Sequence, residues 1–123
     1  METQNKLNTP IGNKEPEKMK AEDVVVTKVE INEVPKYGEK VVFTCQHPSR
    51  EEPLKLSKVK YVKNNKIESS GTWYKEDEDN KIVKVSALAT LMGFYQVTNL
   101  NEFVNKVIHT ELEETGYLAI KAY

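Results

Sequence analysis

SALATLMGFYQVTNLNEFVNKVIHTELEETGYLAIKAY, residues Ser86 to Tyr123, reads as helix, short second helix, strand, tight turn and strand. Leu88, Leu91, Met92 and Tyr95 stand at i, i+3, i+4 and i+7, so they share one helix face. Ser86 precedes that run, where its hydroxyl can accept from a first-turn N–H that has no partner within the helix. Leu100, Phe103, Val104 and Val107 repeat the helical spacing over a shorter span, with Asn101 placed to cap it. Lys106–Leu112 and Tyr117–Tyr123 then flank Glu113-Glu114-Thr115-Gly116, where Gly116 can take the positive φ of a short hairpin loop.

Upstream the pattern changes to β. Val24–Ile31 predicts a first strand with Val25, Thr27, Val29 and Ile31 facing in and Lys28 and Glu30 facing water. Pro35 and Gly38 break the chain before a second strand, KVVFTCQ, whose Val41, Phe43 and Cys45 share one face. Cys45 falls in step with that apolar face and reads as a small buried hydrophobe. His47–Pro53, with two prolines and mixed charge, is an exposed loop. Alternation resumes over Leu54–Lys63, turns at Asn64-Asn65 into Lys66-Ile67-Glu68, and returns at Gly71–Lys75. Glu76–Asn80 is an acidic turn, and Lys81–Val85 reads as the strand leading into the helix. Strands, then helix, then two strands argue against alternating βαβ units. The order fits a mainly β fold with one or two short helices, as a small barrel or an α+β sheet.

The 123 residues suffice for one domain, placed at 22–123, behind a disordered N-terminal tail over 1–21. That tail holds Pro10, Gly12, Pro16 and almost no periodic apolar residues, too little burial to offset ordering its backbone. It lacks the apolar core of a secretory signal, and no apolar run approaches a membrane span. One cysteine excludes an intrachain disulfide, and an intracellular, cytoplasmic location is the expectation. The formal net charge is −1, so any attraction for nucleic acid must come from a local patch.

Catalytic constellations are missing from the sequence. His47 and His109 have neither a second histidine at metal-ligand spacing nor a cysteine pair, so no zinc set forms. Asp77 and Asp79 lack the glycine and distal glutamate of a calcium loop, which leaves a solvated acidic turn. Glycine-rich phosphate loops and nucleophile elbows are also lacking. The expectation is a non-enzyme without metal or cofactor.

A binding surface has more support. Lys55, Lys58, Lys60, Lys63 and Lys66 are interleaved with Tyr61, with no acid between residues 55 and 66, and Trp73, Tyr74 and Lys75 follow. Ammonium groups neutralise phosphates and aromatic faces stack on unpaired bases, which together suit a single strand. Two plainer readings stand beside this one: surface lysines discourage edge-to-edge pairing, and a lone Trp is often a core residue. Val59 and Tyr61 share strand parity, an arrangement that assigns Tyr61 to the core while Lys58 and Lys60 take the solvent side. Trp73 and Tyr74 must point to opposite faces, so at most one is free to stack.

Tyr37-Gly38 before strand two, Ser86-Ala87-Leu88 at the helix start, Leu100 through Lys106 and Gly116-Tyr117-Leu118 in the last hairpin together resemble a known group. It comprises small OB-fold-like proteins of phages, viruses and mobile elements, in which S-x-L-x-x-L-L precedes L-x-x-L-x-G-K. Here Asn105 stands at the glycine of the second motif, and Asn tolerates a left-handed turn best among the other residues. The resemblance covers Val24 to Tyr123. It implies a five-stranded Greek-key barrel with a helix between strands three and four, the region Leu54–Val85 adding an extra hairpin. It also implies single-stranded nucleic acid bound across strands two and three, between the loops Asn32–Gly38 and Glu113–Gly116.

The first expectation is therefore a non-enzymatic binder of single-stranded DNA or RNA, with Lys55, Lys58, Lys60, Lys63 and Lys66 on the backbone and Trp73 or Tyr61 stacking bases. The alternative is a protein-interaction or assembly module without nucleic acid, self-associating through exposed Val24 and Val26 or a sheet edge. It fits the small net charge better.

Overall fold

The computed structural model describes residues 7–11 and 20–123. The expectation of a disordered tail falls mostly on residues outside that range.

A long β-hairpin starts the fold: β1 (Val24–Val34) pairs antiparallel with β2 (Gly38–Gln46). Lys36 (φ 73°) and Gly38 (φ 114°) both take left-handed geometry where the chain reverses, which explains glycine at the second position. Val41, Phe43 and Cys45 are fully buried, as their alternation requires. In β1 the expected parity is reversed at the start. Val24 and Val26 are fully buried, whereas Val25 and Ile31 are exposed, at 38% and 42%. The register slips between Val26 and Lys28, so Thr27 sits in a bulge that lets its hydroxyl donate to the Thr44 carbonyl. Three successive valines satisfy either parity locally, and the bulge then lets Val29 rejoin the core side. Val24 and Val26 are accordingly not an exposed assembly surface.

The next strand is broken at Ser57 into β3 (Leu54–Leu56), which pairs with β2, and β4 (Lys58–Lys63). β4 turns through Asn64 and Asn65, both at positive φ, into β5 (Lys66–Gly71). That pair of left-handed residues is the expected two-residue hairpin turn. The chain then turns at Thr72 into β6 (Trp73–Tyr74), which lies along the N-terminal end of β2. Thr72 ties this junction together. It is fully buried, its N–H donates to Ser57 O, its carbonyl accepts from Val41 N, and its hydroxyl donates to Val41 O. Lys81–Val85 forms no strand; a single bridge between Glu76 and Ile82 closes the acidic turn instead. Asp77 Oδ1 accepts from the N–H groups of Asp79 and Lys81, which fixes that turn without any ladder.

Helix α1 (Ala87–Phe94) begins as its sequence requires, with Ser86 Oγ accepting from Ala89 N. Leu88, Leu91, Met92 and Tyr95 are buried. The second helix is only one 3₁₀ turn, Leu100–Phe103. Asn99, rather than Asn101, caps it, in a reciprocal box with Glu102. Thr98 and Asn99 both donate to the Glu102 carboxylate, which holds it below its ordinary pKa. Only Phe103 of the expected apolar face is fully buried; Val104 and Val107 are exposed, because the chain leaves the helix at Val104. Phe103 packs edge-on to Phe43 at 5.1 Å and Tyr95 at 6.1 Å, joining helix to sheet at the centre of the core. Asn105 takes φ 70°, the left-handed geometry its place in the sequence calls for.

Three short strands finish the chain: β7 (Val107–Ile108), β8 (Thr110–Leu112) and β9 (Leu118–Ala122). β8 and β9 form the closing hairpin, with Gly116 at φ 88°. β7 pairs with β1, and β9 runs parallel to β4. The fold is mainly β, with its sheet curled around the core. The Tyr95 hydroxyl stitches that curl by donating to Lys121 O and accepting from His109 N. Among the described residues no helix is long and apolar enough to cross a membrane.

Candidate nucleic-acid interface

The break at Ser57 decides where the lysines point. Leu56 and Val59 are both buried although three residues apart, so the strand changes parity between them. In an unbroken strand Lys55 would oppose Lys58 and Lys60. Here all three lie on the outer side. Lys63 and Lys66 face each other across the Asn64-Asn65 turn at the far tip of the hairpin. Lys75 is exposed at the base of the acidic turn. The stretch read as one patch is therefore three separate groups.

One of those lysines is held in an ion pair. Lys58 Nζ donates to Glu113 Oε2 at 2.6 Å, and Ser69 Oγ donates to Glu113 Oε1 at 3.0 Å. Burial alone would push the Glu113 carboxyl up, but these two donors, with Lys60 nearby, bring it below its ordinary range. Glu113 comes from the β8–β9 turn and neutralises part of the positive charge of β4.

The tryptophan sits on a different part of the same outer side. Trp73 is the cross-strand partner of Lys40 on β2, next to Asn32 on β1. Lys40 Nζ lies 5.2 Å from the centre of the Trp73 ring, a cation–π distance. Tyr37, largely exposed in the β1–β2 turn, places its ring 6.4 Å from that of Trp73 at 35°. Trp73 is half-buried. Along the same side of β1, β2 and β3, Lys28, Thr44 and Lys55 form a cross-strand row. Lys28 pairs loosely with Glu30 at 3.5 Å. Thr44 Oγ1 is buried within the row and has no hydrogen-bond partner among the described residues.

Tyr61 and Tyr74 belong elsewhere. Both pack, half-buried, against the hydrophobic core, and the Tyr74 hydroxyl donates to Glu76 Oε1 at 2.7 Å. Tyr74 thus opposes Trp73 as strand parity demands, and Tyr61 takes the core side. Tyr37, Lys28, Lys40 and Thr44 were not singled out by the sequence, since none lies near the lysine stretch. Tyr37 carried the only signal, an aromatic residue in a turn between two apolar strands.

Other chemistry is accounted for by structure. Cys45 is fully buried, and burial pushes its thiol up to about 12, so it stays protonated and inert at neutral pH. His47 is buried rather than exposed with its loop: Nε2 meets Lys20 O at 2.8 Å, and Nδ1 accepts from Ser49 N. His109 Nδ1 lies 2.6 Å from Asp23 Oδ1. Both histidines hold the segment 20–23 against the domain. No group of three or more metal-ligating side chains occurs among the described residues.

Compared with known proteins, the chain matches no family model, no curated protein and no solved structure.

Proposed function

We propose that this chain binds single-stranded nucleic acid on the outer face of β1, β2, β3 and β6, without catalysing a reaction. The observation that carries the reading is Trp73 set beside Lys40 and Tyr37, with Lys28 and Lys55 on the adjoining row. An exposed tyrosine beside a half-buried indole offers a stacking platform, and ammonium groups around it suit a phosphate backbone. Trp73 and Tyr37 stack bases. Lys28, Lys40 and Lys55 track phosphates, and Lys60 extends the track past Lys58, whose charge Glu113 compensates.

The OB plan belongs to the same proposal. In its favour, the pairings run β1–β2–β3, continue through Ser57 into β4, pass to β9 and β8, and continue through His109 into β7, which returns to β1. A parallel pairing of the third and last strands, with α1 between the third and fourth, is what that plan requires.

The test is Trp73 fluorescence during titration with oligo-dT and oligo-U, at low salt and at about 0.2 M. The proposal expects saturable quenching whose affinity falls with salt by about 0.7 log units per tenfold for each phosphate neutralised. Unchanged fluorescence together with no mobility shift at low salt overturns it.

A further inference from the structure

We infer that the outer edge of β5 pairs with β5 of a second copy of this chain, in antiparallel register about a two-fold axis at Ile67. Among the described residues β5 pairs with β4 alone, and Lys66–Ser69 are exposed. Because Asn64-Asn65 is a two-residue turn, Lys63 and Lys66 form its closing hydrogen-bonded pair. Alternation then turns the N–H and C=O of Ile67 and Ser69 away from β4, toward the free edge.

Charge selects the register. With Ile67 opposite Ile67 of the second copy, each Lys66 faces a Glu68, giving two opposite-charge pairs. Sliding the axis to Glu68 would pair Ile67 with Ser69 instead, but sets carboxylate against carboxylate. Moving it to Ser69 uses Gly71, whose carbonyl already accepts from Ser70 Oγ. A lysine on a free edge ordinarily blocks strand pairing, and here one register alone matches it with an acid. Apolar burial favours the same arrangement. Val62 and Ile67 are cross-strand partners and both exposed, at 49% and 59%. The two-fold axis would set Val62, Ile67 and their two counterparts in one row across four strands. Val62 shares the outer side of β4 with Lys58 and Lys60 but stands toward the Asn64-Asn65 turn, away from Trp73, and the test is made without nucleic acid.

The experiment is sedimentation equilibrium of the full chain without nucleic acid, for wild type, Lys66→Glu, Glu68→Lys and the double exchange. Only Lys66, Ile67 and Glu68 of β5 oppose their counterparts in this register, which predicts a weak dimer, populated at concentrations on the order of 100 µM or above. Each single exchange sets like charges opposite and weakens association roughly tenfold, and the double exchange restores it. Ile67→Glu abolishes it. Amide hydrogen exchange supplies a second readout: Ile67 gains protection as concentration rises, whereas Lys66 and Glu68 do not change. A wild type that stays monomeric at about 1 mM, or a dimer indifferent to the exchanges, overturns the inference.

Discussion

Gly71 lies beneath the Trp73 indole so closely that a Cβ there would stand 2.8 Å from Trp73 Nε1 and 2.9 Å from Lys40 Cε. Glycine is required by the close approach of a side chain, not by its backbone angle. Gly71 is also the cross-strand partner of Lys58, so the position joins the Trp73 cluster to the lysines of β4.

Gly71→Ala should therefore move the indole. The lysine can swing aside, but the ring must tilt off the sheet. The expected result is a red-shifted Trp emission, a melting temperature lower by a few degrees, and weaker oligo-dT quenching. An unchanged emission spectrum would show that Trp73 does not rest on Gly71.

Thr44→Val tests the orphan hydroxyl. Leaving a buried polar atom without a partner costs about 1–3 kcal/mol, so its isosteric replacement should leave the fold as stable or raise its stability by about 1 kcal/mol. If the hydroxyl meets a bound strand, urea stability rises while oligonucleotide affinity falls. A loss of stability would reveal a partner for Thr44.

Glu113→Gln tests the acid limb. A carboxyl held below its unfolded pKa contributes stability above that value, about 4.3, and loses it as pH falls through the native one. Wild type should exceed the variant in melting temperature at pH 7, and the gap should narrow as pH falls and the carboxylate takes up its proton. The same variant frees Lys58, so its affinity for single strands at low salt should rise. A gap independent of pH would remove the ion pair as its cause.

Cys45 contributes to the alkaline limb. The unfolded thiol ionises near 9, whereas the buried one holds its proton up to about 12. The unfolded state then binds fewer protons, so stability is intact below pH 9 and falls above it, by up to ~1.4 kcal/mol per pH unit. Cys45→Ala should flatten that decline relative to wild type. In native protein at pH 8 the thiol should react with a maleimide only as fast as the chain unfolds.

What could be read from the sequence was local. Ser86 and the Leu88–Tyr95 stripe define α1 because a helix is specified by neighbours three and four residues apart. The Val41–Phe43–Cys45 face and the turns at Asn64-Asn65 and Gly116 are specified in the same way, by alternation and by residues that tolerate positive φ. Where one segment satisfied two patterns, the reading failed. Val24–Val26 fits either strand parity, Asn99 and Asn101 both suit a cap, and Lys81–Val85 alternates without finding a strand to pair with.

The candidate face lay beyond sequence reading for a related reason. Lys55, Lys58 and Lys60 share a side because the strand breaks at Ser57, whose carbonyl accepts from Thr72 N where β3 passes into β4. Trp73 acquires Lys40 and Tyr37 only because β6 folds back along β2. The sequence by itself determined the helix, the hairpins and the inertness of Cys45, since short-range geometry and burial propensity suffice for those. Only the tertiary structure decided which lysines stand beside the tryptophan and which is cancelled by Glu113, because those pairings depend on contacts between strands far apart in the chain.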